Sequence, residues 1–427
     1  MTQAHSVLTA HQPDSHSPLP RPYTQAEFHR QRLVELDWLR VLVFGLLILY
    51  HTGMLYAEGW DWHYKSTYTS SLLTNIMLWS NQWRMSLLFL ISGAATSFLI
   101  ARQPAGQFIR GRIPLLLLPL LFGMLVVVVP QVYVEAHSKG LINSPNYWHF
   151  WYIYLDQTSA EFAPHKTLGK MHLTWNHLWY LAYLWTYSLL LVALLPLLES
   201  GPGRRLQAWL GGLRGGWLVL LPALPLVLYM NVLLPRFEST NALLDDWFQH
   251  AQFFTIFLYG YTVARSEAFW RELARLRRPL GWLALAMVAV YVPLLKSGIE
   301  FDGPALAAVR SLRGLLVWTV LLAILAWARH ALDRPFRWLP YASEAVFPWY
   351  VIHQSAMVLL AYWLVPRGLP VWVEAGAVLG GTVLACALGH EIIRRVGVLR
   401  PLFGLKRRKP ASVRPHAEAL AVVGGRE

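Results

Sequence analysis

The stretch Leu36–Tyr56, LDWLRVLVFGLLILYHTGMLY, restricts this chain to few architectures. An apolar run of that length reads as a bilayer-crossing helix, yet it carries Asp37 and Arg40 near its start and His51 deep inside. Arg40 and His51 are eleven positions apart. At about 100° per residue both fall on one helix face, roughly 16 Å apart along the axis. Leu47 shares that stripe and Phe44 lies at its margin. One face therefore runs from a cation at the membrane surface to an imidazole near the midplane. An ionisable group at that depth is costly and faces protein or a water-filled cavity, which makes it a functional candidate. The structural alternative is a core histidine bonded to a neighbouring helix.

The apolar pattern recurs along the chain. Segments suited to crossing lie near 36–57, 72–100, 113–134, 176–198, 215–235, 247–265, 279–296, 307–328, 343–365 and 370–393. They predict an all-α polytopic membrane protein with about ten transmembrane helices. Hydrophobic residues make up 56% of the 427 and charged residues only 14%, a balance that a soluble domain rarely shows. The abundant Trp and Tyr suit interfacial belts. The single Cys, Cys386, excludes an intrachain disulfide framework and a Cys-rich metal site. Residues 1–30 are polar and read as a flexible cytoplasmic tail rather than a signal peptide. The transmembrane domain is expected over 33–400, and 401–427 form a basic cytoplasmic tail.

The formal net charge of +14 invites a nucleic-acid reading, but the placement of the cations argues against one. Arg102, Arg110, Arg112, Arg204, Arg205, Arg214, the 265–278 loop, Arg329, Arg334, Arg337 and the C-terminal tail all fall on one side of the expected spans. Far fewer fall on the other, so the positive-inside rule predicts both termini in the cytoplasm. The charge then reads as topology plus attraction to anionic lipid, with no nucleic-acid partner. One outer loop is long, about 136–175. Its NYWHFWYIYLDQ segment suits a helix lying among lipid headgroups, or an aromatic platform at a substrate entrance.

Strong polar residues from three spans share one depth. The second span carries Asn81 and Arg84, and the ninth reads VFPWYVIHQ, with His353 one turn beyond Tyr350 and Ser343 expected as its N-cap. By helical rise His51, Arg84 and His353 fall in one slab around the midplane. Ser92-Gly93 offers small residues for close helix contact. Arg110 and Arg112 read as topology charge or, with Arg40, as a grip on phosphates. Asn176, His177 and Trp179 open the fourth span, where Trp179 suits an interfacial belt. HExxH, GxSxG, P-loop and strand-preceded GxGxxG patterns are missing from the sequence. His137, His149, His165 and His172 lack a metal-ligand spacing.

LDWLRVLVFGLLILYH, RMSLLFLISG, RGRIPLLLLPLL, NHLWYL and VFPWYVIHQ, in this order, resemble acyltransferase family 3, the polytopic membrane acyltransferases, and within it the glucan biosynthesis protein C branch. The resemblance implies an O-acyltransferase of the bacterial cytoplasmic membrane, multi-pass. It would move an acyl group such as succinyl or acetyl from cytoplasmic acyl-CoA to a hydroxyl of an extracytoplasmic glycan. It maps the family's essential pair onto Arg40 and His51 and its basic third-span motif onto Arg110 and Arg112. Acyl-CoA is then a substrate rather than a resident cofactor, and the partners are acyl-CoA, the glycan acceptor and the bilayer. His51 is expected as general base, with acyl-His51 as the covalent alternative. Arg84 or His353 would stabilise the oxyanion or orient His51, and Tyr350 and Trp179 complete the substrate side. The rival class is a transporter or flippase whose midplane polar residues line a pathway.

Overall fold

The computed structural model describes residues 34–142, 146–159, 161 and 173–407. The tail at 1–30, His165, His172 and the C-terminal tail beyond 407 lie outside the described residues. All ten expected spans fall on helices: α1 (Val34–Met54), α2 (Ser71–Asn81) with α3 (Arg84–Ile100), α4 (Ala105–Arg112) running on through α5 (Leu118–Phe122) to α6 (Val129–Ser138), then α7 (Tyr147–Leu155) and α8 (Trp179–Leu198). α9 (Gly201–Gly211), α10 (Gly216–Val232), α11 (Trp247–Val263), α12 (Glu267–Lys296), α13 (Gly303–Ala331), α14 (Leu339–Leu364), α15 (Val371–Arg395) and α16 (Leu399–Leu402) follow. The sole β pairing among the described residues is an isolated bridge, Ala57 with Ser70. Among the described residues, seven stretches are long and apolar enough to cross a membrane: Ser71–Ile100, Ala105–Ser138, Asn176–Leu198, Glu267–Lys296, Gly303–Ala331, Leu339–Arg367 and Val371–Arg395. The protein is a multi-pass, all-helical membrane protein.

Proline decides where the third span departs from a regular helix. Pro114, Pro119 and Pro130 have no N–H to donate, and wider π turns occupy Ile113–Leu117 and Gly123–Val127. In the second π turn Val128 N–H reaches back to Gly123 O (2.8 Å) and Gln131 N–H turns to Val128 O (2.9 Å). The carbonyls left over take side chains instead. Met124 O accepts from Tyr154 Oη (3.1 Å), Leu125 O from Trp151 Nε1 (2.9 Å) and Val127 O from Ser355 Oγ (2.5 Å). Irregular backbone in an apolar setting survives only when such bonds are replaced. The aromatic segment 147–155 is a helix, as an interfacial reading requires, with Trp148 and Tyr152 exposed one turn apart. Its buried face seals the π turn.

Close packing and one buried charge pair hold the bundle. α3 and α11 cross backbone to backbone: a Cβ on Gly93 would lie 1.9 Å from Phe257 O, and one on Gly260 2.1 Å from Leu90 O. The small-residue expectation at Ser92-Gly93 is thus met by a reciprocal glycine on α11. Glu35 on α1 is fully buried and pairs with Arg329 of α13 at 2.5 Å, the pairing a desolvated carboxylate needs.

The second span runs over Ser71–Ile100 as expected, with a break at Gln82–Trp83 between α2 and α3. Three expectations are corrected. The third span runs from Ala105 to Ser138, well beyond 113–134. Most of the 265–278 loop is helical, because Ser266 caps α12 through Phe269 N–H and the helix then extends to Lys296. Ser343 does not cap the ninth span. α14 already starts at Leu339, with Pro340 in its first turn, and Ser343 Oγ is buried without a hydrogen-bond partner.

Candidate active site

The break at Gln82–Trp83 interrupts the helix beside a cavity of about 520 Å³, lined by His51, Arg84, His177, Trp179, Tyr350 and Gln354 among others. α1 brings His51 to it and α14 brings Tyr350 and Gln354. His51 and His353, expected at one depth, do meet: His51 Nδ1 lies 3.0 Å from His353 Nε2. The two rings are nearly parallel, 5° apart with centroids at 5.2 Å.

Backbone carbonyls assign the tautomers. His353 Nδ1 is 2.8 Å from Tyr350 O and 3.2 Å from Trp349 O. A carbonyl only accepts, so Nδ1 carries the hydrogen and Nε2 carries the lone pair. His51 must then donate Nδ1–H to His353, which leaves the His51 Nε2 lone pair available. Phe44 closes the other side of His353, edge-on with ring centroids at 5.6 Å. Tyr350 is fixed by its hydroxyl, which donates to His177 O at 2.5 Å.

Arg84 begins α3 and is 5% exposed. Its guanidinium lies over the Tyr50 ring at 3.5 Å, while Nε and Nη1 are buried without hydrogen-bond partners. A desolvated guanidinium with two open donors is suited to an anion or a developing oxyanion. Gln82 and Gln252 add unpartnered buried acceptors, Oε1 of each, to the same cavity.

The surface arginines behave differently. Arg110 is exposed and Arg112 is buried, so the two have different surroundings. Arg112 donates to Thr96 Oγ1 at 2.7 Å and lies near enough to Arg40 for their charges to interact. Arg40, Arg110 and Arg112 are not among the residues lining the cavity. Trp179 does line it, packed on Tyr183 with ring centroids at 4.9 Å.

Several residues of this site had no signal strong enough to single them out. His63 sits on the loop between α1 and α2 with Nδ1 2.5 Å from Glu135 Oε2. Lys139 and Asp61 extend that contact, with Lys139 Nζ 2.9 Å from Glu135 and 3.1 Å from Asp61. Burial works against the Lys139 ammonium, but its bonds to the two carboxylates outweigh that and raise its pKa. Gln354 Nε2 donates to His63 Nε2 (2.9 Å) and to Gln131 Oε1 (3.0 Å). Gln131 in turn donates to Ser355 Oγ at 2.6 Å and accepts from Asn176 Nδ2 at 3.2 Å. Asn176 holds a left-handed backbone (φ 42°), a conformation that costs energy outside glycine and marks an enforced geometry. No group of three or more His, Cys, Asp or Glu among the described residues could hold a metal ion.

A family model described as an acyltransferase domain matches residues 33–391. Glucans biosynthesis protein C of Shigella dysenteriae serotype 1 (strain Sd197) is 29% identical over 114 residues, 27% of this chain and 29% of that protein. The protein of the same name from Escherichia coli (strain K12) is 28% identical over 114 residues, with the same shares. The match thus spans less than a third of either relative. No solved structure matches.

Proposed function

Because this chain belongs to acyltransferase family 3, we propose that it is a membrane O-acyltransferase that moves an acyl group from acyl-CoA to a hydroxyl of a glycan. One observation carries the reading: His51 has its Nδ1–H engaged by His353, leaving Nε2 as a lone pair beside a polar cavity. In the direct route Nε2 takes the acceptor's proton as the oxygen attacks the thioester carbonyl. The C–S bond breaks, and the proton returns to the sulfur. Arg84 supplies open donors for the oxyanion, His353 orients the base, and Tyr350 and Trp179 shape the substrate side. Arg40 and Arg112 hold the CoA phosphates near the start of α1, and Arg110 reaches them from the surface.

The proposed setting is the bacterial cytoplasmic membrane, with ten crossings and both termini inside. Acyl-CoA, with succinyl or acetyl as candidate acyl groups, arrives from the cytoplasm and the glycan from outside. The transporter or flippase reading gains one observation, the broken helix at Gln82–Trp83, but among the described residues the irregular third span widens into π turns rather than pairing with that break, unlike the paired broken helices of repeat-built transporters. Acyl-CoA turnover by purified protein in detergent decides between them. Thioester loss or acyl transfer that disappears in His51→Ala supports the enzyme; substrate movement with no thioester turnover supports the transporter.

A further inference from the structure

The direct route leaves a second imidazole without a task. His63 donates Nδ1–H to Glu135 Oε2 at 2.5 Å and accepts from Gln354 Nε2 at 2.9 Å. His63, Glu135 and Gln354 all line the cavity that holds His51. Trp62 stands between the two histidines, its ring centroid 5.3 Å from His51 and 4.9 Å from His63. Neighbouring residues of α14 thus serve one histidine each, His353 orienting His51 and Gln354 capping His63.

The two imidazoles are equipped for different work. His51 is backed by a neutral ring whose own Nδ1–H is committed to a carbonyl. No carboxylate is bonded to it in the described hydrogen bonds, and the Arg84 guanidinium lines the same cavity. No carboxylate thus backs His51 as a base, while its Nε2 lone pair lies beside the cavity as a nucleophile. His63 is backed by Glu135, and a carboxylate on Nδ1–H stabilises the imidazolium formed when Nε2 takes a proton. Two orphaned atoms mark where a ligand would meet it. Gln354 Oε1 and Trp62 Nε1 are both buried without partners, an acceptor and a donor, which are the complements a hydroxyl brings. A hydroxyl that displaced the Gln354 amide would donate to His63 Nε2.

We propose that His63, held by Glu135, is the acceptor-side base, and that acyl transfer is divided between two histidines. The proposal rests on the acyl-transfer reading and replaces its direct route. In the first half His51 Nε2 attacks the thioester carbonyl, a C–N bond forms, the C–S bond breaks and CoA leaves as the thiolate. In the second half His63 Nε2 takes the acceptor hydroxyl's proton and the oxygen attacks the acyl carbon. The C–N bond breaks, restoring neutral His51, and His63 returns its proton to water, matching the proton that the departed thiolate took from solvent. The sum is ester plus CoA thiol, with no other reagent.

The test uses full-length protein in detergent, radiolabelled acetyl-CoA or succinyl-CoA, and a soluble glucan oligomer as acceptor probe. Without acceptor, wild type, His63→Gln and Glu135→Gln should each release a stoichiometric burst of CoA and retain label on the protein; His51→Gln should do neither. With acceptor, both His63→Gln and Glu135→Gln should transfer about 10²–10⁴-fold more slowly than wild type. Glu135→Gln keeps the imidazole in place, so its loss cannot be assigned to a missing ring. Transfer by His63→Gln within about threefold of wild type, against that general-base expectation, would overturn the proposal. So would wild-type transfer with no burst, since direct attack needs no acyl-enzyme. A wild type that releases no CoA from either donor would remove the acyl-transfer reading itself.

Discussion

Two cavities flank the α2–α3 break, and their walls differ in kind. Gln82 and Arg84 face the polar one of about 520 Å³, while Trp83 between them faces a second of about 740 Å³. The second is walled by Trp79, Trp83, Trp282 and Trp327 from α2, α3's N-cap, α12 and α13, with Arg278 as its single charged residue. The larger space is apolar, as a surface turned to lipid tails would be. The smaller one gathers histidines, a desolvated guanidinium and orphaned donors and acceptors. Volume therefore does not separate the two cavities; the kind of lining does, since a desolvated guanidinium and buried amide oxygens without partners are costly unless something completes them.

The contrast can be broken most directly at His51. His51→Gln should lower acyl transfer by about 10²–10⁴-fold, measured in detergent on protein with wild-type thermal unfolding. More than about a tenth of wild-type activity would make α1 scaffold only, given that general-base range. Next comes the wall itself. Gly93→Ala drives a methyl into Phe257 O, and overpacking of this kind costs about 1–3 kcal/mol. Its unfolding midpoint should fall, and an unchanged midpoint would mean that α3 and α11 are not in rigid contact.

The arginines sharpen the picture at about the scale of one charged hydrogen bond. Arg112→Ala should raise the donor KM about tenfold, a loss of roughly 1.5 kcal/mol, and Arg110→Ala should raise it less. Equal effects would mean that the burial of Arg112 gives it no advantage over Arg110. His353→Gln should stay within about tenfold of wild type, since an amide oxygen can accept from His51 Nδ1–H; His353→Phe, which cannot, should lose more. Smallest of all, Trp282→Leu on the apolar side, 73% exposed, should change stability by no more than about 0.5 kcal/mol and leave transfer untouched. A loss of transfer there would show that the two cavities are coupled.

Much of this was legible because bilayer physics is coarse. Hydrophobic length finds spans, and helical rise puts His51 and His353 at one depth, where they meet at 3.0 Å. The break before Arg84 was not legible, since Asn81, Gln82 and Trp83 carry neither Gly nor Pro. Proline did announce the irregular third span, but not that the freed carbonyls would recruit Tyr154, Trp151 and Ser355. His63 and Glu135 escaped for a different reason. They lie 72 positions apart, one on a loop and one near a helix end, and no periodicity links such a pair. The different surroundings of Arg110 and Arg112 have a geometric cause. Two positions on a helix differ by about 200°, so one faced in and the other out.

The face of α1 between Arg40 and His51 has one more consequence. Its polar ends are separated by Leu47 and Phe44, buried to 3% and 6% exposure, with Phe89 fully buried nearby. Tyr180, whose ring lies 6.1 Å from Tyr350, ties its hydroxyl to Ser92 at 2.6 Å. An energised membrane does about 2.3 kcal/mol of work on each unit charge that crosses 100 mV. An unbroken polar thread along this face would short-circuit that potential. The apolar interval interrupts such a thread and keeps the two polar ends of the face electrically apart.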